Sequence, residues 1–502
     1  MTMIDIRGLK FGYEGSIDRV FDDVSFRIDT DWHLGLIGRN GRGKTTLLRI
    51  LRGELSYEGN ISGLVPFTSF PQEIGNNDEL ALDVVQKHCS MAQEWEIMKE
   101  LNLMDVDASV LYRPFMSLSG GEKTKLMLVA LFLDKVGFPL IDEPTNHLDM
   151  KGRESVAKYL KRQRGFILVS HDRSFLDACI DHVVAINKST IDVEAGDFSS
   201  WWENYQRIEQ SQIAANEQIK KDISRLKVSE EKAKQWSDNA ESKKIGFDPR
   251  VTEKSIGRRP SQAAKAAKMM SHAKNIERRF DRKIEDKKGL LQNSERIDSL
   301  LIEGAAHHAQ RLVDMKDVTL FYEDSQVFEP ISFEINQGDR IAITGVNGCG
   351  KSTLLKFLMG VPIRSTGEVV MASRIVYSYV SQDTSTLSGS IREYSQERHI
   401  DEPRYKAILR KMGFTQENLS MRIEQLSEGQ KKCVLLGASL CENANIYVWD
   451  EPLNYIDIFM RDSIEKLLVS SDITMIFVEH DKSFVESVAT KEIELRRVFD
   501  AI

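Results

Sequence analysis

The sequence predicts an α/β protein made of two tandem domains of one type, each with a mostly parallel sheet, joined by a long antiparallel helical hairpin. Three observations carry this prediction. Short motifs recur in one order at an offset near 308 residues. Within each half, apolar runs of strand length alternate with helical stretches, the pattern of a parallel sheet covered by helices. Between the halves, Glu203 to Arg296 holds 23 Lys+Arg against 15 Asp+Glu, a net of +8 in a chain whose total is -8.

A chain of 502 residues has room for more than one domain with a full core, and 41% apolar residues is ordinary for a soluble protein. The longest apolar run, Leu126 to Leu133, falls far short of the roughly 20 residues that cross a bilayer. The N-terminus lacks a basic-then-apolar signal, so a soluble, cytoplasmic protein is expected. Cys89, Cys179, Cys349, Cys433 and Cys441 form no CxxC pair and no metal spacing with His, which argues against a disulfide framework or a zinc site.

The repeat places the domains at 1–195 and 311–502, with a linker over 196–310. Gly38 to Thr45 reads GRNGRGKT and Gly345 to Ser352 reads GVNGCGKS, 307 residues apart. Gln72 and Gln382 follow at 310, LSGGE from Leu118 and LSEGQ from Leu426 at 308, Asp142-Glu143 and Asp450-Glu451 at 308, and His171 and His480 at 309. In chain order, Trp32–Gly38 and Asp339–Gly345 are apolar runs that end in the glycine loop, and a helix follows over Thr46–Leu51. Phe138–Ile141 and Ile446–Trp449 are strands that end at the Asp-Glu pair, and Phe166–Val169 and Met475–Val478 are strands that end just before the histidine.

Each motif has a chemical reading. The glycine loop lets backbone N–H groups close around phosphates, because glycine accepts the required dihedrals. Gly38, Asn40, Gly41, Gly43 and Thr46 would line one such cradle, and Gly345, Asn347, Gly348, Gly350 and Thr353 the other. Lys44 and Lys351 would reach the β- and γ-phosphates of ATP, and Thr45 and Ser352 would hold Mg²⁺. Asp142 and Asp450 would hold the same Mg²⁺ through water, and Glu143 and Glu451 would polarise the attacking water. Gln72 and Gln382 suit sensing of Mg²⁺ and water, or are solvated loop residues; His171 and His480 suit a γ-phosphate contact, or are structural.

In these residues the chain resembles the ATP-binding cassette (ABC) family in twin-domain form. LSGGE and LSEGQ match its signature motif, and His171 and His480 its switch histidine. The resemblance implies a head-to-tail pair of cassettes in one chain, functional as a monomer. One ATP would lie between Lys44, Thr45, Gln72, Asp142, Glu143, His171 and the opposing Ser427 and Gly429. The other would lie between Lys351, Ser352, Gln382, Asp450, Glu451, His480 and the opposing Ser119, Gly120 and Gly121. Tyr13 and Tyr322 match the aromatic that stacks on adenine, with a core aromatic as the alternative. Glu428 replaces the middle glycine of the signature, Tyr455 stands opposite His147, and Glu479 opposite Ser170. A glutamate near a γ-phosphate is unfavourable unless it points away, so two unequal sites are expected.

Both cassettes share one chain and flank a basic helical segment, which is similar to the ABC-F subfamily, ATPases that act on ribosomes. EPTNHLD from Glu143 and SHDRSFLD from Ser170 are typical of it. Glutamine to signature spans 46 residues in the first half and 44 in the second, without the extra arm of housekeeping members. EPLNYID from Glu451 and the linker runs WSDNAE and KAAKMM resemble the Lsa-type antibiotic-resistance proteins.

Within the linker, Ile208, Ala215, Ile219, Ile223, Leu226 and Ala233 recur at helical steps, as do Ala266, Met270, Ala273, Ile276, Phe280, Ile284 and Leu291. Two narrow stripes suit an antiparallel coiled-coil pair of helices, each about 50 Å long at 1.5 Å per residue. The tip, 243–260, contains Gly246, Pro249, Gly257 and Pro260, with Phe247 among Lys243, Lys244, Arg250, Lys254, Arg258 and Arg259. Cations around an exposed aromatic suit RNA, through phosphate contacts and base stacking; a solvated charged face is the alternative. The resemblance then implies a ribosome partner, with the tip reaching past P-site tRNA from the exit site toward the peptidyl-transferase centre and protecting it from lincosamides, streptogramins A or pleuromutilins. A housekeeping translation factor is the nearest rival. A transporter ATPase would need a membrane subunit, and a DNA-acting ATPase would carry zinc cysteines or a far longer coiled coil.

Overall fold

The computed structural model describes residues 2–13, 19–63, 65–72, 79–146, 148–187, 190–242, 304–323 and 325–498. His147, the tip residues Lys243, Lys244, Phe247, Arg250, Lys254, Arg258 and Arg259, and the second apolar stripe lie outside the described residues.

In the first half the central sheet runs in the order Phe67–Phe70, Phe138–Asp142, Phe166–Val169, His33–Gly38, His182–Ile186, Ile191–Ala195. Only the last strand is antiparallel. The second half repeats the layout with Tyr377–Val380, Ile446–Asp450, Met475–Val478, Arg340–Thr344 and Lys491–Glu494, all parallel. Strands buried on both faces read as continuous apolar runs, which is why they were legible in the sequence.

One layer was not expected. Each half also carries an antiparallel sheet: Met3–Phe11 between Phe21–Asp29 and Glu58–Ser62 in the first, and Arg311–Tyr322 flanked by Ile331–Asn336 and Arg364–Met371 in the second. Its inward residues Ile4, Ile6 and Ile28 pack with Leu34, Leu47 and Ile167, so the glycine-loop helix is held between two sheets. In the second half Val313, Val318, Ile341, Leu354, Val448 and Ile476 do the same. These strands have one solvated face and alternate apolar with polar residues, so they lack the apolar run by which the parallel strands were recognised.

The chain divides into two compact units, one comprising Met1–Trp201 with Ile297–Ile502 and the other Trp202–Arg296. This narrows the expected linker of 196–310 at both ends. Phe198 and Trp201 are buried, with Trp201 edge-on to Phe459 at 6.4 Å. At the other end Ala305 N donates to Ala444 O at 2.9 Å, and Gln337 Nε2 donates to the carbonyls of His307 and Ala309 at 2.6 and 2.8 Å.

The linker's first helix spans Phe198–Ser242, 45 residues and about 68 Å at 1.5 Å per residue, longer than expected. Its covered face shares Ile219 and Ile223 with the stripe read in the sequence and adds Ile213 and Asn216. Asn216 and Ile223 are buried and Ile213 and Ile219 half-buried, whereas Ile208 and Ala215 are exposed. The face runs through a polar residue, Asn216, that a search for apolar periodicity skips.

Candidate functional site

Strand His33–Gly38 delivers the chain into a loop where Gly41 and Gly43 adopt φ of 80° and 93°; Gly348 and Gly350 repeat this at 77° and 98°. A Cβ at Gly41 or Gly348 would meet nothing within 4 Å, so at these two positions conformation alone selects glycine. The helices Lys44–Leu51 and Lys351–Leu358 begin without a side-chain cap, which leaves their first N–H groups for an anion. Lys44 Nζ donates to Gly38 O at 2.6 Å and to Asn40 Oδ1 at 3.3 Å, and Lys351 Nζ to Gly345 O at 2.9 Å and Val346 O at 3.2 Å. The two ammonium groups are thus curled over the loops they would share with phosphates. Tyr13 and Tyr322 are 45% and 55% exposed, which removes the core-aromatic reading. Their hydroxyls lie 2.9 Å from Thr46 Oγ1 and 3.2 Å from Thr353 Oγ1.

The acids lie at the ends of the strands Phe138–Asp142 and Ile446–Asp450, each separated from the glycine-loop strand by one strand, at the carboxyl edge where ligands of open α/β sheets bind. Glu143 and Glu451 hold φ of 51° and 46°, unusual for a non-glycine residue and fixed by bonds from their N–H to Val169 O and Val478 O at 2.9 and 3.0 Å. Glu143 Oε1 lies 3.3 Å from His171 Nε2, and Glu451 Oε1 3.4 Å from His480 Nε2. Burial raises the carboxyls of Asp142 and Asp450 above the ordinary range, against the pull of Lys44 and Thr45 on one and of Ser352 on the other. Gln72 Oε1, Glu143 Oε1 and Asp450 Oδ1 are buried without a hydrogen-bond partner among the described residues. Hydroxyl, carboxylate and amide oxygens so placed fit Mg²⁺ and a polarised water.

The structure brings the two halves together around each site. A cavity of about 800 Å³ is lined by Lys44, Thr45, Gln72, Asp142, Glu143 and His171 of the first half and by Ser427, Gly429 and Tyr455 of the second. A larger one of about 1260 Å³ joins Lys351, Ser352, Gln382, Glu451 and His480 to Ser119, Gly120 and Gly121. Ser119 and Ser427 cap the helices Gly120–Leu133 and Glu428–Ser439, accepting from Glu122 N and Gln430 N at 3.2 and 3.3 Å.

Sequence reasoning missed the residues that fasten these cavities. Asp149 Oδ1 caps its own helix through Gly152 N at 2.8 Å, while its Oδ2 faces Asn347 N of the other half at 3.4 Å. Asp457 does the same with Met460 N and Asn40 N, both at 2.9 Å. Behind them the buried pairs Arg153–Asp172 at 2.6 Å and Arg461–Asp481 at 3.0 Å tie each of these helices to the turn after the histidine. The available signal was an aspartate recurring at the repeat offset directly before a helix, at EPTNHLD and EPLNYID.

The three departures resolve as follows. Glu428 accepts from Thr384 Oγ1 and pairs with Lys431 Nζ at 2.8 Å, both of its own half. Buried Glu479 accepts from Leu453 N at 2.8 Å. Both carboxylates are thus engaged within their own half, the condition under which no repulsion of a γ-phosphate is expected. Tyr455, with φ of 66°, presents its carbonyl to Asn40 Nδ2 of the opposite half at 2.9 Å. The two acids that would polarise water also differ. Burial, with Asp142 adding to it, pushes the Glu143 carboxyl up to about 8. Burial acts upward on Glu451 too, but His480, Lys351 and Asn454 outweigh it and hold this carboxyl below its ordinary value. Glu451 Oε2 accepts from Gln382 Nε2 at 2.7 Å and from Asn454 Nδ2 at 2.9 Å.

Two glycine-loop α/β domains, each completing the other's nucleotide site, define a twin-cassette ATPase. The chain belongs to the ATP-binding cassette family, whose model, described as ABC transporter, matches residues 21–146 and 328–454. Cassettes of this family hydrolyse ATP and bind it with Mg²⁺. Among its relatives, a ribosome protection protein of Bacillus subtilis, VmlR, is 27% identical over 96% of this chain and 85% of its own length. ABC transporter F family member 5 of Arabidopsis thaliana is 26% identical over 98% of this chain and 75% of its own length. The ATP-binding protein Uup of Caulobacter vibrioides is 28% identical, with coverages of 95% and 74%. An archaeal ribosome recycling factor, aABCE1, solved with the stalk protein aP1, superimposes with a TM-score of 0.62 at 19% identity, covering 97% of this chain and 87% of that one; this likeness concerns the fold. Among the described residues no helix is long and apolar enough to cross a membrane.

Proposed function

We propose that this chain is a cytoplasmic ATPase that binds the ribosome with its two cassettes closed on ATP, and that its basic linker, 196–310 less the residues packed on the cassettes, reaches toward the peptidyl-transferase centre and protects it from bound antibiotics. The observation that carries this reading is the pair of composite cavities: neither half holds a complete site, so two ATP molecules favour the closed form through contacts that only both halves supply. The likeness to a ribosome protection protein over 96% of the chain supports the partner, and the net +8 of the linker supports contact with rRNA and P-site tRNA near the exit site. A housekeeping ribosome factor is the second reading, since several relatives carry no protection in their names.

In each site the loop N–H groups and Lys44 or Lys351 bind phosphate oxygens, and Tyr13 or Tyr322 stacks on adenine. Thr45, Asp142 and Gln72, or Ser352, Asp450 and Gln382, would hold Mg²⁺, which would supply positive charge against the phosphates. Glu143 or Glu451 orients and polarises the attacking water. His171 or His480 contacts the γ-phosphate, and the opposing serine and glycine close the site. Loss of the γ-phosphate removes these contacts and reopens the pair. The test is cosedimentation with ribosomes in ATP of protein carrying Glu143→Gln and Glu451→Gln. Pelleting at low salt is expected, and its absence overturns ribosome binding. Phe247→Ala is then expected to abolish drug protection in cells while leaving ATPase activity; a strain whose susceptibility never depends on the gene supports the housekeeping reading instead.

A further inference from the structure

We propose that the signature helix of the second cassette, Glu428–Ser439, is a rigid coupler between the two nucleotide sites, and that Glu428 and Lys432 are the positioning residues that make it one. Its N-terminus closes the first site: Ser427, Glu428 and Gly429 line that cavity opposite Lys44. Its body is fastened to the second. Buried Lys432 donates from Nζ to Ser381 O at 2.8 Å and to Glu451 O at 3.1 Å, joining the residue before Gln382 to the acid that would polarise water. Glu428 accepts from Thr384 Oγ1, two residues after Gln382, and Gln382 itself donates to Glu451 Oε2 at 2.7 Å. Any shift of the Gln382 loop or of Glu451 is therefore transmitted to the helix end that faces the other nucleotide. Lys431, paired with Glu428 at 2.8 Å, keeps that carboxylate from turning toward the phosphates.

Among the described residues the first cassette shows no such fastening. At the repeat offset Gly120 stands for Glu428 and Thr124 for Lys432, so one position has no side chain and the other a side chain too short to reach two carbonyls beyond the helix. The coupling therefore runs through the second cassette's helix, and being an equilibrium coupling it acts on both sites by the same factor.

The inference rests on the assignment of two nucleotide sites, and the experiment separates the two. With Glu451→Gln, hydrolysis reports the first site alone while the second still binds ATP; adding Lys351→Ala empties the second. The ratio of KM values, emptied over filled, measures the coupling. Substituting Glu428→Gly with Lys432→Thr, which copies the first cassette, is expected to lower that ratio by about threefold or more, since couplings between sites are typically five- to 150-fold. Thr384→Val is expected to act in the same direction with kcat at the first site within about twofold, and Thr384→Ser to restore the ratio. Thermal melting identifies any variant that fails to fold, and Thr384→Val carries the test if the double variant does so. A parent ratio of 1, or a fall below about threefold in the folded variants, overturns the coupling. If Lys351→Ala protein still binds two ATP molecules, the site assignment fails and takes the inference with it.

Discussion

The two proposed nucleotide sites are built from the same repeat and differ in how firmly the acid assigned to polarise water is held. Glu451 is gripped by Gln382 and Asn454 and its carboxyl is held low, whereas Glu143 Oε1 has no hydrogen-bond partner among the described residues and its carboxyl is raised by burial. The signature helices differ in the same sense, one fastened by Glu428 and Lys432, the other carrying Gly120 and Thr124 in their places. Duplication preserved the residues that would touch nucleotide and let their supports diverge. Two sites with the same order of motifs can thereby be given unequal rates without loss of either.

The largest test of this contrast is single substitution of the acids. Because Glu451 is already ionised and oriented, Glu451→Gln is expected to remove most of the steady-state ATP turnover and Glu143→Gln less; the double variant is expected to fall about 100-fold or more, the usual contribution of a general base. Equal losses from the two single variants would erase the distinction between the sites.

Next come the buried ion pairs. Arg153→Ala and Arg461→Ala each leave an aspartate uncompensated in the interior, at a cost of about 3–5 kcal/mol in urea unfolding. Arg461→Ala is expected to cost more: both guanidiniums donate from Nε to a carbonyl of the preceding turn, Leu148 O at 3.1 Å and Ile456 O at 2.9 Å, and Arg461 adds a bond to Leu453 O at 2.8 Å. The reverse order would show that the first half relies on its turn more than the second does.

A smaller effect is expected at Gly429, where a Cβ would come within 2.7 Å of Tyr455 O and 3.4 Å of Asn40 Nδ2. Gly429→Ala is expected to weaken ATP at the first site by about 1–3 kcal/mol through overpacking, read as a raised KM with Glu451→Gln in the background. The smallest concerns the pair Arg173–Glu465 at 2.9 Å, which crosses between halves in one direction, because Ala157 stands at the position equivalent to Glu465. Glu465→Ala is expected to cost about 1 kcal/mol and to depend only weakly on salt, since both side chains are 14% exposed, while Lys482→Ala, at the position equivalent to Arg173, leaves stability unchanged.

The parallel strands and the residues at their ends were legible because a strand buried on both faces writes a continuous apolar run, and chemistry follows where the run stops. Val169 before the histidine and Ile141 before the acids are such stops. The antiparallel strands, half in water, left a weaker alternation, and the linker face through Asn216 was legible only in part because its register includes a polar residue.

By itself the sequence determined the repeat, the glycine loops, the order of the acids and the twin-cassette family, because each is a local pattern carried by residue type and spacing. Only the tertiary structure decided which way Glu428 and Glu479 turn, that Asp149 and Asp457 reach across to the opposite glycine loops, and that Lys432 fastens one signature helix and not the other. Those outcomes depend on which groups distant in sequence arrive within hydrogen-bond reach, and a buried carboxylate or ammonium takes whichever partner the packing supplies, since leaving it without one costs more than any local preference.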